Sequence, residues 1–201
     1  MLIDDFFKLV NSVCCNQKSG MIISNQLENT TTSVTEAQIV KAFFGSSSKN
    51  LFSPKQFFNT APEARFFGYY AGMPDKIYST DGNKGLCIEF KVYRKTTDAK
   101  TDPKPRNNGC EVRNAFSQLL EYMQKPLQSG KTCEEGAVVV FDTLNDSEPA
   151  FLSSSNSPTR EFVRRMIDLA KQQYQKDIGL IWIWKERDSF GNVVFKCEKY
   201  S

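Results

Sequence analysis

From Val112 to Met123 the apolar residues Val112, Ala115, Phe116, Leu119, Leu120 and Met123 recur three and four positions apart. That period places them on one stripe of a helix, predicted over 111–124. Leu2, Phe6, Leu9, Val10 and Val13 repeat the spacing near the start and predict a short helix within 1–20. Other helices are marked by their first turns. Ser33-Val-Thr-Glu36 has the form of a capping box, opening a helix over about 34–44 that Gly45-Ser-Ser-Ser ends. Thr60-Ala-Pro-Glu63 is a second such pattern, opening a short helix or turn before the aromatic stretch Phe66–Tyr70. Pro158 follows a serine-rich loop at 153–157 and suits the first position of a helix over about 159–175.

Strand-like runs occupy the remaining apolar segments. Asp75–Ser79 and Leu86–Tyr93 are joined by Thr80-Asp-Gly-Asn-Lys-Gly85, a loop rich in residues that tolerate positive φ, so a hairpin is predicted. Ala137–Leu144 is nearly continuous in β-branched residues, as a central buried strand would be, and Ile178–Trp184 is apolar on both faces. A turn at Asp188–Asn192 leads into a last strand, Val193–Lys199. Residues 94–110 are polar, basic and broken by proline, and read as a loop. A hairpin feeding a crossover helix into a further strand predicts the α/β class: a mixed β-sheet core flanked by helices on both faces. Residues 1–50 read as an N-terminal helical extension packed on that core and 51–201 as the main domain, one compact unit overall.

Composition narrows the chemistry. The 201 residues carry a net charge of only +3, so a polyanion partner would need local clusters of cations. No apolar run reaches the roughly 20 residues that span a bilayer, and no secretory signal is visible at the start. These features predict a soluble intracellular protein, cytoplasmic or nuclear, with no membrane partner. The six cysteines, with no Cys-x-x-Cys spacing, are then expected as reduced thiols. There is no histidine. That excludes Ser-His-Asp and Cys-His hydrolases, histidine-based nucleases and most catalytic zinc sites. Chemistry must run on carboxylates, lysine or hydroxyls with a hard metal.

Two acids on adjacent antiparallel strands can aim at one hard cation if they share a sheet face. Asp75 begins one predicted strand and Glu89 lies late on its partner. Lys91 follows Glu89 by two, which the strand period puts on the same face, with Ile88 and Phe90 on the other. An ammonium there can position an attacking water and stabilise negative charge. The acid-x-Lys triplet is not specific alone: Asp98-Ala-Lys100 and Asp102-Pro-Lys104 repeat it, though in the proline-broken loop. Only Glu89-Phe-Lys91 lies in an apolar strand, where a charge needs a reason. The competing explanation is a cross-strand ion pair on the exposed face of an edge strand.

Gly72-Met-Pro-Asp75, Gly85-Leu-Cys-Ile-Glu89-Phe-Lys91 and Gln118-Leu-Leu-Glu-Tyr122 together resemble the PD-(D/E)xK nuclease superfamily, most closely its replication-repair (VRR-NUC-like) branch. The resemblance covers about 72–144. It implies a restriction-endonuclease-like fold and an Mg²⁺- or Mn²⁺-dependent endonuclease that hydrolyses nucleic acid, DNA favoured over RNA. It implies Asp75, Glu89 and the Phe90 carbonyl as metal ligands and Lys91 as the catalytic lysine. Gln118 and Tyr122 would line the cleft from the following helix, against the plainer reading of a helix-surface pair. Many members add an acid on the first helix; Glu36 is accounted for by its capping box, and Glu63 is the lesser candidate. The long insertion at 94–110 and the divergent N-terminus depart from the branch and leave the substrate type in doubt.

Cations that could meet phosphates are Arg94, Lys95, Lys104, Arg106 and Arg113, with Lys76, Lys84 and Lys100 nearby in sequence. Arg160, Arg164 and Lys171 share a helix face that reads by default as solvated. Trp182 and Trp184 could stack bases but fit better as core in so apolar a strand. Against the enzyme stands a different class, a catalytically inactive nucleic-acid-binding or protein-interaction module that keeps the nuclease fold. The oligomeric state stays open, a homodimer included.

Overall fold

The structure is a computed structural model that describes residues 1–15, 57–58, 65–66, 69–70, 76–78, 84–93, 108–124, 132–142, 148 and 157–201. Three helices fall within them: α1 (Leu2–Cys15), α2 (Asn108–Met123) and α3 (Pro158–Tyr174). The strands are β1 (Phe57–Phe58), β2 (Arg65–Phe66), β3 (Tyr69–Tyr70), β4 (Lys76–Tyr78), β5 (Lys84–Tyr93), β6 (Thr132–Asp142), β7 (Asp177–Arg187) and β8 (Val193–Tyr200). One mixed sheet has the order β1-β4-β5-β6-β7-β8, and β2 and β3 form a separate antiparallel pair from the aromatic stretch. The predicted helix over 34–44 and the capping box at 60–63 lie outside the described residues.

The predicted hairpin is present. β4 runs antiparallel to β5 with Lys76 opposite Ile88 and Tyr78 opposite Leu86. β5, β6 and β7 are parallel, which their connections through α2 and α3 permit, and β8 returns antiparallel to β7. Alternation along β5 sends Leu86, Ile88, Phe90 and Val92 to one face, where α1 packs through Ile3, Phe6, Val10 and Val13. The opposite face, with Val138, Val140, Leu180 and Trp182, is covered by α2 and α3. Every residue of the predicted α2 stripe is buried. The molecule is therefore an α/β structure with helices on both faces of a mixed sheet. Among the described residues no helix is long and apolar enough to cross a membrane.

Several elements depart from expectation for physical reasons. β6 begins at Thr132, earlier than the predicted Ala137, because its polar start has a tertiary use. Glu135 accepts the backbone N–H groups of Leu2 and Ile3 at 3.0 and 2.9 Å, so a carboxylate caps α1 where the helix dipole is positive. One residue on, Gly136 lets α2 approach closely: a Cβ there would lie 2.5 Å from Met123 Sδ and 3.0 Å from Leu119 Cδ2. The expectation of reduced thiols is corrected for one pair. Cys87 and Cys133, both buried, form a disulfide between β5 and β6 with their Cα atoms 6.0 Å apart.

Candidate functional site

β5 carries both apolar faces of the sheet at once, so its charged residues are enclosed between strands and helices. Glu89 and Lys91 fall in the alternating series with Cys87 and Tyr93, on the face under α2 and α3. Their side chains are 6% and 15% exposed, and Lys91 Nζ donates to Glu89 Oε1 at 2.7 Å. The pair is too enclosed to be an ion pair on an exposed face; β6 pairs with β5 along both positions, and among the described residues the β4 pairing reaches Ile88. Glu89 stands opposite Val138 and Lys91 opposite Val140.

A second buried carboxylate lies further along the same face. Asp142 closes β6, stands opposite Tyr93 and is fully buried. The indole N–H of Trp182 donates to its Oδ2 at 3.2 Å, and the Trp182 ring meets Tyr93 with centroids 5.3 Å apart. Burial, with the adjacent Asp142 charge, pushes the Tyr93 phenol above its ordinary range. Tyr93 thus holds its proton at neutral pH and stays a hydrogen-bond donor. Among the described residues Glu89 and Asp142 are the two buried charged ones. Sequence reasoning missed Asp142. The signal was available: an acid in an otherwise β-branched run raises the question that singled out Glu89.

On α2, Tyr122 is buried and Gln118 is exposed. The Phe90 side chain is buried on the α1 side of the sheet, while its backbone belongs to the β5–β6 ladder opposite Val139. Arg113 is exposed, its guanidinium 5.5 Å from the centre of the Phe162 ring on α3. Asp75, Glu63, Arg94, Lys95, Lys104 and Arg106 lie outside the described residues, as does Lys100; Lys76 and Lys84 are placed only as strand residues. On α3, Arg164 pairs with Asp168 at 3.9 Å, Lys171 pairs with Asp177 at 3.7 Å, and Arg160 stacks over Tyr200. The face expected to be simply solvated thus also carries ion pairs. Trp182 and Trp184 are core, 1% and 6% exposed.

Oxygen donors suit a hard divalent cation, and Glu89 supplies them beside an ammonium that could neutralise further charge. Among the described residues no three acidic or cysteine side chains come together as a metal site. No protein-family model, curated protein or solved structure matches the chain.

Proposed function

We propose that the chain is a divalent-metal-dependent endonuclease of restriction-endonuclease-like fold that hydrolyses phosphodiester bonds of nucleic acid, DNA in preference to RNA. The observation that carries this reading is the Glu89–Lys91 pair: two enclosed charges in contact, at alternating positions of an otherwise apolar strand. The β4–β5 register supports it. Lys76 is opposite Ile88, so the next position outward on β5 is Glu89, and the residue before Lys76 in the chain is Asp75. Asp75 and Glu89 would hold Mg²⁺ or Mn²⁺, with the Phe90 carbonyl as a further ligand and Glu63 a lesser one. The bound ion supplies charge neutralisation at the phosphate and an activated water. Lys91 would leave Glu89 for the substrate phosphate and its attacking water, placing positive charge where negative charge develops. Gln118 and Tyr122 on α2 would line the active-site cleft, and the cations Arg94, Lys95, Lys104, Arg106 and Arg113 would contact nucleic acid.

A second reading has its own observation. The pair closed at 2.7 Å is also what a purely structural ion pair looks like, and a chain that kept it only for folding would be an inactive binding module. Incubating the protein with plasmid, single-stranded DNA and RNA, with and without Mn²⁺, separates the two. The endonuclease cleaves only with the metal, and Lys91→Ala, shown to be folded by circular dichroism, loses about 100-fold or more of the rate. Absence of cleavage by the wild type on all three substrates, or equal cleavage by the variant, removes the enzyme reading.

A further inference from the structure

Trp182 and Trp184 are buried and cannot stack bases, but a partly exposed ring closes β5 on the same face. Tyr93 is the last residue of that strand, one strand period beyond Lys91 and two beyond Glu89. Exposure rises along the series: Glu89 is buried, and Lys91 and Tyr93 are partly exposed. Each period covers about 7 Å, on the order of one nucleotide step of an extended strand. β5, β6 and β7 are parallel, and Tyr93 and Asp142 end the first two. Ligands of open α/β sheets bind outside such carboxyl ends.

The inner side of the Tyr93 ring is fixed by the core. It meets Trp182 with ring centroids 5.3 Å apart, and the Trp182 indole N–H donates to Asp142 Oδ2 at 3.2 Å. Asp142 stands opposite Tyr93 in the β5–β6 ladder and is fully buried. A buried carboxylate carries a desolvation cost, so its retention needs a reason. Its bond to Trp182 supplies one: it holds the indole against which Tyr93 is set.

We propose that Tyr93 is a stacking platform for an unpaired base of a nucleic-acid strand, one nucleotide along from the phosphate that Lys91 meets, and that Asp142 positions it through Trp182. This rests on the reading of the Glu89–Lys91 face as a nucleic-acid site. Every base presents a π-face, so an aromatic platform takes single strands of any sequence. Stacking uses the ring and not the phenol hydroxyl. Asp142 touches no base; it is a positioning residue, acting through the indole that backs the Tyr93 ring.

The test is binding of a fluorescein-labelled single-stranded oligonucleotide of mixed sequence to the full chain, followed by anisotropy with a chelator present so that nothing is cut. Tyr93→Ala, shown to be folded by circular dichroism, should bind about 10-fold more weakly than the wild type. Tyr93→Leu gives the same reading where Tyr93→Ala does not fold. Tyr93→Phe, which keeps the ring, should restore binding to within about twofold. Asp142→Ala should weaken binding about as much as Tyr93→Ala, and Asp142→Asn, which keeps an acceptor for the indole N–H, should restore it. No binding by the wild type, equal binding by folded Tyr93→Ala or Tyr93→Leu, or a loss in Tyr93→Phe as large as theirs overturns the proposal. Failure of the endonuclease reading looks different: the variants follow the expected order of binding, yet the wild type cuts nothing with Mn²⁺. A wild type that cuts with Mn²⁺ while folded Tyr93→Ala binds equally removes the stacking platform and leaves the endonuclease.

Discussion

On β5 the side chains directed toward α1 are Leu86, Ile88, Phe90 and Val92, and those directed toward α2 and α3 are Cys87, Glu89, Lys91 and Tyr93. One strand, read at odd and even positions, therefore builds two different interiors. The α1 side is a largely apolar contact; at the start of the helix Glu135 caps it and Lys199 holds Asp4, and further along Asn11 accepts from Cys197. The α2/α3 side buries the same kind of apolar wall and sets charges into it. Apolar burial stabilises at about 25 cal/mol per Å². Each buried ion instead costs several kcal/mol of desolvation that its partner must offset. The α1 face is explained by apolar burial, and the charged face carries a desolvation cost that the α1 face does not.

Large effects should divide the two faces most clearly. Lys91→Ala leaves the Glu89 charge enclosed without its ammonium and should destabilise by about 3–5 kcal/mol in denaturant titration. Replacing both charges, as in Glu89→Leu with Lys91→Met, should recover most of that stability while abolishing metal-dependent cleavage. Phe6→Ala on the other face should cost a similar 3–5 kcal/mol or so and leave cleavage per folded molecule unchanged. Were the double variant as unstable as Lys91→Ala, the pair would be structural and the contrast between faces would dissolve.

A smaller effect probes the polar edge of the apolar side. Glu135→Ala removes the acceptor for two N–H groups of α1 and should cost about 1 kcal/mol, read as a shift of the unfolding midpoint without change in slope. The smallest concerns Tyr93. Its folded-state value is raised above the ordinary 10.0, so the folded chain keeps a proton that the unfolded chain releases. The associated stability is fully present below about pH 10 and is lost as pH rises through the folded value. Tyr93→Phe should flatten that alkaline loss, measured by unfolding titrations between about pH 9 and 11; an unchanged alkaline slope would place the phenol in an ordinary solvent environment.

Much of this contrast was legible in the sequence because it rests on periodicity. The α2 stripe, the Glu89-Phe-Lys91 alternation and the closing β7–β8 hairpin follow from local spacing, and local spacing survives folding. What was illegible depended on distant partners. Thr132–Glu135 looks like loop until Glu135 is seen capping a helix at the other end of the chain. Asn108-Gly-Cys precedes the apolar stripe and carries no periodic signal, yet α2 begins there. Cys87 and Cys133 are 46 residues apart and no spacing rule links them. Asp142 ends β6 directly after the apolar run Ala137–Phe141, and that run alone reads as core. The contacts that make it distinctive come from Trp182 and Tyr93 on neighbouring strands.

The central claim is that charge is kept on the α2/α3 face to hold a hard cation. Free Mn²⁺ followed by electron paramagnetic resonance during titration with protein tests it directly. The account predicts that wild-type protein withdraws Mn²⁺ from solution and that folded Glu89→Gln does so far less. Equal uptake by the two proteins, or no uptake by the wild type, would contradict it.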